Sequence, residues 1–133
     1  MMTKKCQAVV ISCMDYRFHE ALYEYLKQEG LCGEYDLVSL PGGCLDYGSK
    51  QLMDIVEMAV TLHDIQGSVY LCHHEDCGAY GLKGDLQEQL SHQSGDMQAF
   101  ARLIKAKFPE LEVRLCFFTL KDSEPLEIEV QEE

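Results

Sequence analysis

The chain has little positive charge, no basic stripe and no long apolar run, and each shortage removes a class of function. Eleven Lys and Arg stand against 23 Asp and Glu, for a formal net charge of −12. Binding to nucleic-acid phosphates depends on clustered cations. Here Lys4-Lys5 and Lys105/Lys107 are small and separate, so no nucleic-acid partner is expected. The apolar runs are far too short to cross a bilayer. Ala8 to Ile11 is too short to form the core of an export signal behind the basic Met-Met-Thr-Lys-Lys start. No membrane association is expected, and the cytoplasm is the expected location. Internal repeats, low-complexity tracts and linkers are lacking as well. The acidic surplus gathers partly in Glu124 to Glu133, where it reads as a solubilising surface.

What is present suffices for one core. With 133 residues, 47% hydrophobic and 26% charged, the chain is expected to be a single domain over 1–133 rather than a disordered segment. Seven cysteines without an export signal argue against a disulfide framework. Cys6, Cys32 and Cys116 have no polar constellation in the sequence around them and read as structural thiols. Strand alternation puts Cys72 in the core, which leaves Cys13, Cys44 and Cys77 to be explained.

Hydrophobic periodicity predicts alternating strands and helices. Gln7 to Ser12 is a continuous apolar run, the pattern of a strand buried on both faces. A helix is expected over Phe18 to Gln28, stopped near Gly30, and a second strand over Tyr35 to Leu40, broken by Pro41-Gly42-Gly43. A helix from about Ser49, its N-cap, to His63 carries the apolar stripe Leu52, Ile55, Val56, Ala59, Val60 and His63. Ser68 to His73 forms the third strand, followed by turns at Gly78, Gly81 and Gly84. Gln87 to Gly95 reads as helix followed by loop. Asp96 to Phe108 reads as an amphipathic helix with Met97, Phe100, Leu103, Ile104 and Phe108 on one side, ended by Pro109. Val113 to Thr119 is the fourth strand, and Leu126 to Val130 alternates like a short exposed edge strand. The expected class is α/β: a central, mostly parallel sheet flanked by helices, with an antiparallel edge strand near the C-terminus.

In parallel sheets ligands gather beyond the carboxyl ends of the strands. Cys13 follows the first strand, Pro41-Gly42-Gly43-Cys44 the second, and His74 with Cys77 the third, so three candidate loops share one edge. His74-x-x-Cys77 on a strand-to-helix turn can chelate one ion. A thiolate from Cys13 would complete a Cys2His set with tetrahedral preference, which suits zinc and leaves a fourth position open. His73 competes with His74 for that role, or is a satisfied strand histidine supporting it. Asp15 and Arg17 lie two apart beside Cys13, so in extended backbone they point the same way. The guanidinium would keep the carboxylate ionised and oriented, either to receive a hydrogen bond or to swing in as fourth ligand; a plain loop salt bridge is the simpler reading.

These residues resemble the β-class carbonic anhydrases. Cys-x-Asp-x-Arg followed by His-x-x-Cys-Gly-Ala is the family's paired motif, and the resemblance runs from about Val9 to Ala79, including the helix Met53 to Val60. The Val113 to Val130 tail is similar to the family's closing strands. The resemblance implies zinc on Cys13, His74 and Cys77, a catalytic Asp15–Arg17 dyad, and reversible hydration of carbon dioxide to bicarbonate by a zinc-bound hydroxide. It also implies a homodimer or higher homo-oligomer with the site at the interface. Three features depart from the pattern. Tyr16 stands where the family has Ser and is expected to narrow or cap the pocket. Leu40-Pro41-Gly42-Gly43-Cys44 replaces a polar Arg-Asn-Ala-Gly-Asn loop. Cys13 arrives without the helical extension that embraces a partner subunit in the family. Cys44 is therefore weighed as a fourth ligand that would close the site as an inert Cys3His centre, or as a half-buried thiol. The functions to separate are a carbon dioxide lyase, a hydrolase of a related small substrate such as carbonyl sulfide or carbon disulfide, and a non-catalytic zinc domain. A thiol-redox protein lacks the Cys-x-x-Cys pair it would need.

Overall fold

The computed structural model describes residues 5–81, 84–122 and 124–131. Lys4 and the last two residues of the acidic tail, named above, lie outside the described residues. The chain order is β1 (Ala8–Cys13), a single 3-10 turn (Tyr16–Phe18), α1 (His19–Gln28), β2 (Tyr35–Leu40), α2 (Lys50–His63), β3 (Ser68–His74), α3 (Leu86–Lys107), β4 (Glu112–Phe118) and β5 (Leu126–Ile128). The strands form one sheet in the order β2-β1-β3-β4-β5. Four are parallel, and β5 runs antiparallel on β4, as expected from the alternation.

β1 is buried along its whole length because the sheet is covered on both faces. One face meets the 3-10 turn and α1: Phe18, Leu22, Tyr25 and Leu26 pack on Ala8, Val10, Tyr70, Cys72, Cys116 and Phe118. The other meets α2 and α3: Leu52, Val56, Met97, Phe100, Ala101 and Ile104 pack on Val9, Ile11, Val69, Leu71, Val113 and Leu115. Each fully buried large apolar side chain contributes about 1.5–3 kcal/mol, so this two-faced core is the main stabilising term. Among the described residues no helix is long and apolar enough to cross a membrane.

The differences from the expected elements have local causes. Phe18 belongs to the 3-10 turn, so α1 begins one residue later. Ser49 occupies the N-cap of α2, but its side chain makes no capping bond. The expected helix-then-loop over 87–95 is instead the first half of one helix, α3. Asp85 caps it by accepting from Glu88 N–H at 2.9 Å, and the helix runs through Gly95 without a break. Leu103, assigned above to the apolar side, is exposed. The last strand stops at Ile128, two residues short of Val130.

The order 2-1-3-4 makes the chain leave β1 toward one side and β3 toward the other. A cleft opens between their carboxyl ends, the usual place for a ligand in such sheets. Cys13 ends β1 and His74 ends β3.

Candidate metal centre

Three elements deliver the donors. Cys13 is held at the end of β1, where the next amide, of Met14, donates to Leu40 O at 3.0 Å. His74 closes β3, fully buried and stacked on Phe18 with ring centroids 4.6 Å apart. Cys77 follows a sharp turn through Asp76, whose φ of 55° is unusual for a residue with a side chain. The two sulfurs and a ring nitrogen of His74 all lie within 4.8 Å of one another.

The donors fit a zinc ion in two independent ways. Thiolates about 2.3 Å from a common tetrahedral ion stand about 3.8 Å apart; Cys13 Sγ and Cys77 Sγ are 3.7 Å apart. His74 Nδ1 contacts Glu75 O at 2.6 Å, which places the ring proton on Nδ1 and leaves Nε2 with a free lone pair. Among the described residues, Nε2 is the one buried side-chain polar atom without a hydrogen-bond partner. A buried lone pair left unsatisfied costs about 1–3 kcal/mol unless something fills the position. The two sulfurs are also within hydrogen-bonding distance of each other. The hydrogen bond from Cys77 holds the Cys13 thiol well below its usual value, and the same bond holds Cys77 up.

Asp15 and Arg17 are joined, but not through the extended backbone expected above: Asp15 caps the 3-10 turn that contains Arg17. Arg17 N–H donates to Asp15 Oδ1 at 2.9 Å, Nε to Oδ1 at 3.0 Å and Nη2 to Oδ2 at 2.6 Å. The guanidinium keeps the carboxyl well below the ordinary carboxylate range. Arg17 also reaches across to the other loop, donating to Asp76 Oδ2 at 3.0 Å and Asp76 O at 2.8 Å. Asp15 Oδ2 ends 3.8 Å from His74 Nε2, beside the donor cluster rather than in a separate loop salt bridge.

Cys44 does not join the three donors. It is fully buried rather than half-buried, and its sulfur lies 3.2 Å from His73 Nε2. The Cys44 N–H donates to that same nitrogen at 3.1 Å, so His73 carries its proton on Nδ1 and gives it to Gln93 Oε1 at 3.0 Å. Burial lowers His73 to about 4, keeping the ring neutral. The glycine loop allows this approach: a Cβ on Gly43, which has φ +63°, would sit 2.8 Å from His73 Nε2. His73 is therefore the satisfied strand histidine, tethering the Pro41–Cys44 loop to β3. Tyr16 does not cap the cleft within this chain; its side chain is 82% exposed.

Gln93 and Gln89 were invisible to the motif reading. Gln93 is buried on α3 and donates through Nε2 to His74 O at 3.0 Å while accepting from His73. Gln89, one turn earlier, accepts from Asp76 N–H at 2.7 Å. The signal was a polar residue at helical spacing with Met97, Phe100 and Ile104, on the face that had to be buried.

A sequence-family model described as "Putative carbonic anhydrase" matches residues 3–125. The chain belongs to this family. It is 36% identical over 123 residues to an uncharacterized protein of Rickettsia conorii, covering 82% of this chain and 65% of that one, so it spans a little under two thirds of that relative's length. The carbonic anhydrase of Streptococcus mutans superposes with a TM-score of 0.69 at 15% identity, covering 97% of this chain and 86% of that chain. One of two tetrameric β-carbonic anhydrases of Sordaria macrospora superposes with a TM-score of 0.61 at 17% identity, covering 92% and 80%. These likenesses establish a β-carbonic-anhydrase fold, and the low identities mark this carbonic-anhydrase-like chain as a divergent member.

Proposed function

We propose that residues 1–133 act as a single zinc-binding domain, a carbonic-anhydrase-like lyase interconverting carbon dioxide and bicarbonate in the cytoplasm. Cys13, His74 and Cys77 are the metal ligands in this reading, and Asp15 and Arg17 are the catalytic pair. One observation carries it: a buried, unpartnered His74 Nε2 beside two thiols and an ionised carboxylate. Zinc held there supplies Lewis acidity, which brings the pKa of a water to about 7. Asp15, ionised by Arg17, accepts hydrogen bonds and donates none. It would fix the O–H of a water beside it and leave that oxygen's lone pair facing carbon dioxide. Arg17 spans both loops, so the carboxylate is oriented before substrate arrives and no ordering cost falls on the reaction. Gln93 and Gln89 hold the His74–Cys77 turn from outside.

A homodimer or higher homo-oligomer belongs to the same reading. Met14 and Tyr16, on either side of Asp15, are 56% and 82% exposed, and β2 is an edge strand whose Leu37 faces solvent. The Sordaria macrospora proteins are described as tetrameric.

Stopped-flow hydration of carbon dioxide by the zinc-loaded protein at pH 7 to 9 tests the activity. Turnover is expected, and stoichiometric zinc without turnover would leave only a zinc-binding domain. The Asp15→Asn variant should keep its zinc and lose about 100-fold in kcat/KM. Unchanged kcat/KM would remove Asp15 from the reaction.

A further inference from the structure

A second set of metal-type donors meets at the opposite end of the sheet. Cys6 lies just before β1, Asp36 is the second residue of β2, and His63 is the last residue of α2. The sulfur, a carboxylate oxygen and an imidazole nitrogen all lie within 4.8 Å of one another, and all three residues are half-buried. Seven residues of extended chain, roughly 20 Å, separate Cys6 from Cys13, so the two clusters cannot share an ion.

The backbone holds these donors together. Cys6 N–H donates to His63 O at 3.1 Å, and Ser68 N–H donates to Gln7 O at 3.1 Å. A Cβ on Gly67 would stand 2.5 Å from Gln7 O, so the chain can approach this closely only at a glycine. α2 is ended by Asp64 in the left-handed region, with φ 46° and ψ 50°. That turn carries His63 against Asp36, Nδ1 to Oδ2 at 2.6 Å. The His–Asp bond explains two of the three residues. It leaves a thiol beside the same atoms, hydrogen-bonded to backbone alone: weakly to Ala8 O at 3.5 Å, and to the backbone of Asp36.

We propose that Cys6, Asp36 and His63 form a second divalent-metal site that joins the start of β1, the edge strand β2 and the end of α2. One sulfur, one nitrogen and one oxygen donor select a borderline ion of the zinc class over magnesium or calcium, which prefer all-oxygen sites. Three protein donors leave one position for water. When the ion binds, the Cys6 S–H bond breaks, its sulfur–metal bond forms and the proton passes to solvent; the His63 ring proton leaves Nδ1, where it bonds to Asp36, for Nε2, which frees the Nδ1 lone pair for the ion. The site is independent of the carbonic-anhydrase reading, since it touches none of the residues assigned there.

Cobalt(II) is the probe, because thiolate ligation gives it a near-ultraviolet charge-transfer band. In the Cys13→Ser/Cys77→Ser chain, one equivalent of cobalt should raise a single-thiolate band. That band should vanish when Cys6→Ser or His63→Ala is added. A folded double variant that shows no band, or a band that survives Cys6→Ser, overturns the proposal. If the double variant does not fold, zinc content after dialysis decides: two equivalents in the unaltered chain and one in Cys6→Ser are expected. One equivalent in both overturns it.

Discussion

The two ends of β1 present similar donors in opposite states of preparation. At its carboxyl end, Cys13, His74 and Cys77 are buried, and the His74 nitrogen has no hydrogen-bond partner. At its amino end, Cys6, Asp36 and His63 are half-buried, and the histidine is already bonded to the carboxylate. The first cluster leaves polar valence unsatisfied in a dry place; the second satisfies most of its own and can be reached by water. An ion filling the first removes a standing cost, whereas an ion entering the second must displace a hydrogen bond and surface water. The carboxyl-end site should therefore bind more tightly and matter more to stability.

The largest expected effect separates the two ends. Cys77→Ser should abolish tight zinc binding at the carboxyl end and remove the associated thermal stabilisation, about 4 kcal/mol when free zinc stands 1,000-fold above its dissociation constant. Cys6→Ser should leave tight binding intact. Chelator competition and thermal melts measure both, and equal losses would break the ranking.

Next in size is the support behind the carboxyl-end site. Gln93→Leu strands His73 Nδ1 and the His74 carbonyl in a buried place, so it should cost about 2 kcal/mol in urea denaturation and weaken zinc affinity about tenfold. Amino-end cobalt binding should not move. An unchanged carboxyl-end affinity would show that Gln93 only packs.

Acid should also act on the two ends unequally. In the metal-free chain His73 falls from the ordinary 6.5 to about 4 by burial, so its neutral ring stabilises the fold fully above pH 6.5. That contribution is lost as pH drops through 6.5 toward 4, because the unfolded chain takes up the proton first. Denaturant midpoints measured across this window should fall, and His73→Gln should flatten the slope. A slope unaltered by the substitution would place the acid sensitivity elsewhere.

The smallest effect concerns the amino-end turn. Asp64 sits at positive φ and its ion pair with Lys5 is exposed, so Asp64→Gly should be neutral or slightly stabilising. A clear loss in melting temperature would mean that the aspartate side chain, rather than the backbone turn, holds this end.

Much of the carboxyl-end site was legible because its donors lie in short local motifs. Asp15 and Arg17 two apart, and His74 and Cys77 three apart, fix their own neighbours through strand and turn geometry. Cys44, by contrast, could be placed on the correct edge but not aimed: whether it met zinc or His73 depended on the path of the glycine loop. Gln93 was hidden in a stretch whose polarity imitated a loop, because its burial is compensated by groups 19 and 20 residues away. In the sequence Cys6 reads as a plain structural thiol and His63 as part of an apolar stripe, since no local pattern links them to Asp36.

Residue order alone determined the parallel α/β scaffold, the edge where ligands gather and the paired motif at that edge, because strand periodicity and motif spacing are properties of neighbouring residues. Only the tertiary structure decided that His74 Nε2 would be stranded, that Cys44 would be taken by His73, and that a second donor cluster would form at the other end of β1. Those outcomes depend on which side chains burial brings together from distant parts of the chain, and on which polar atoms that burial leaves unpaired.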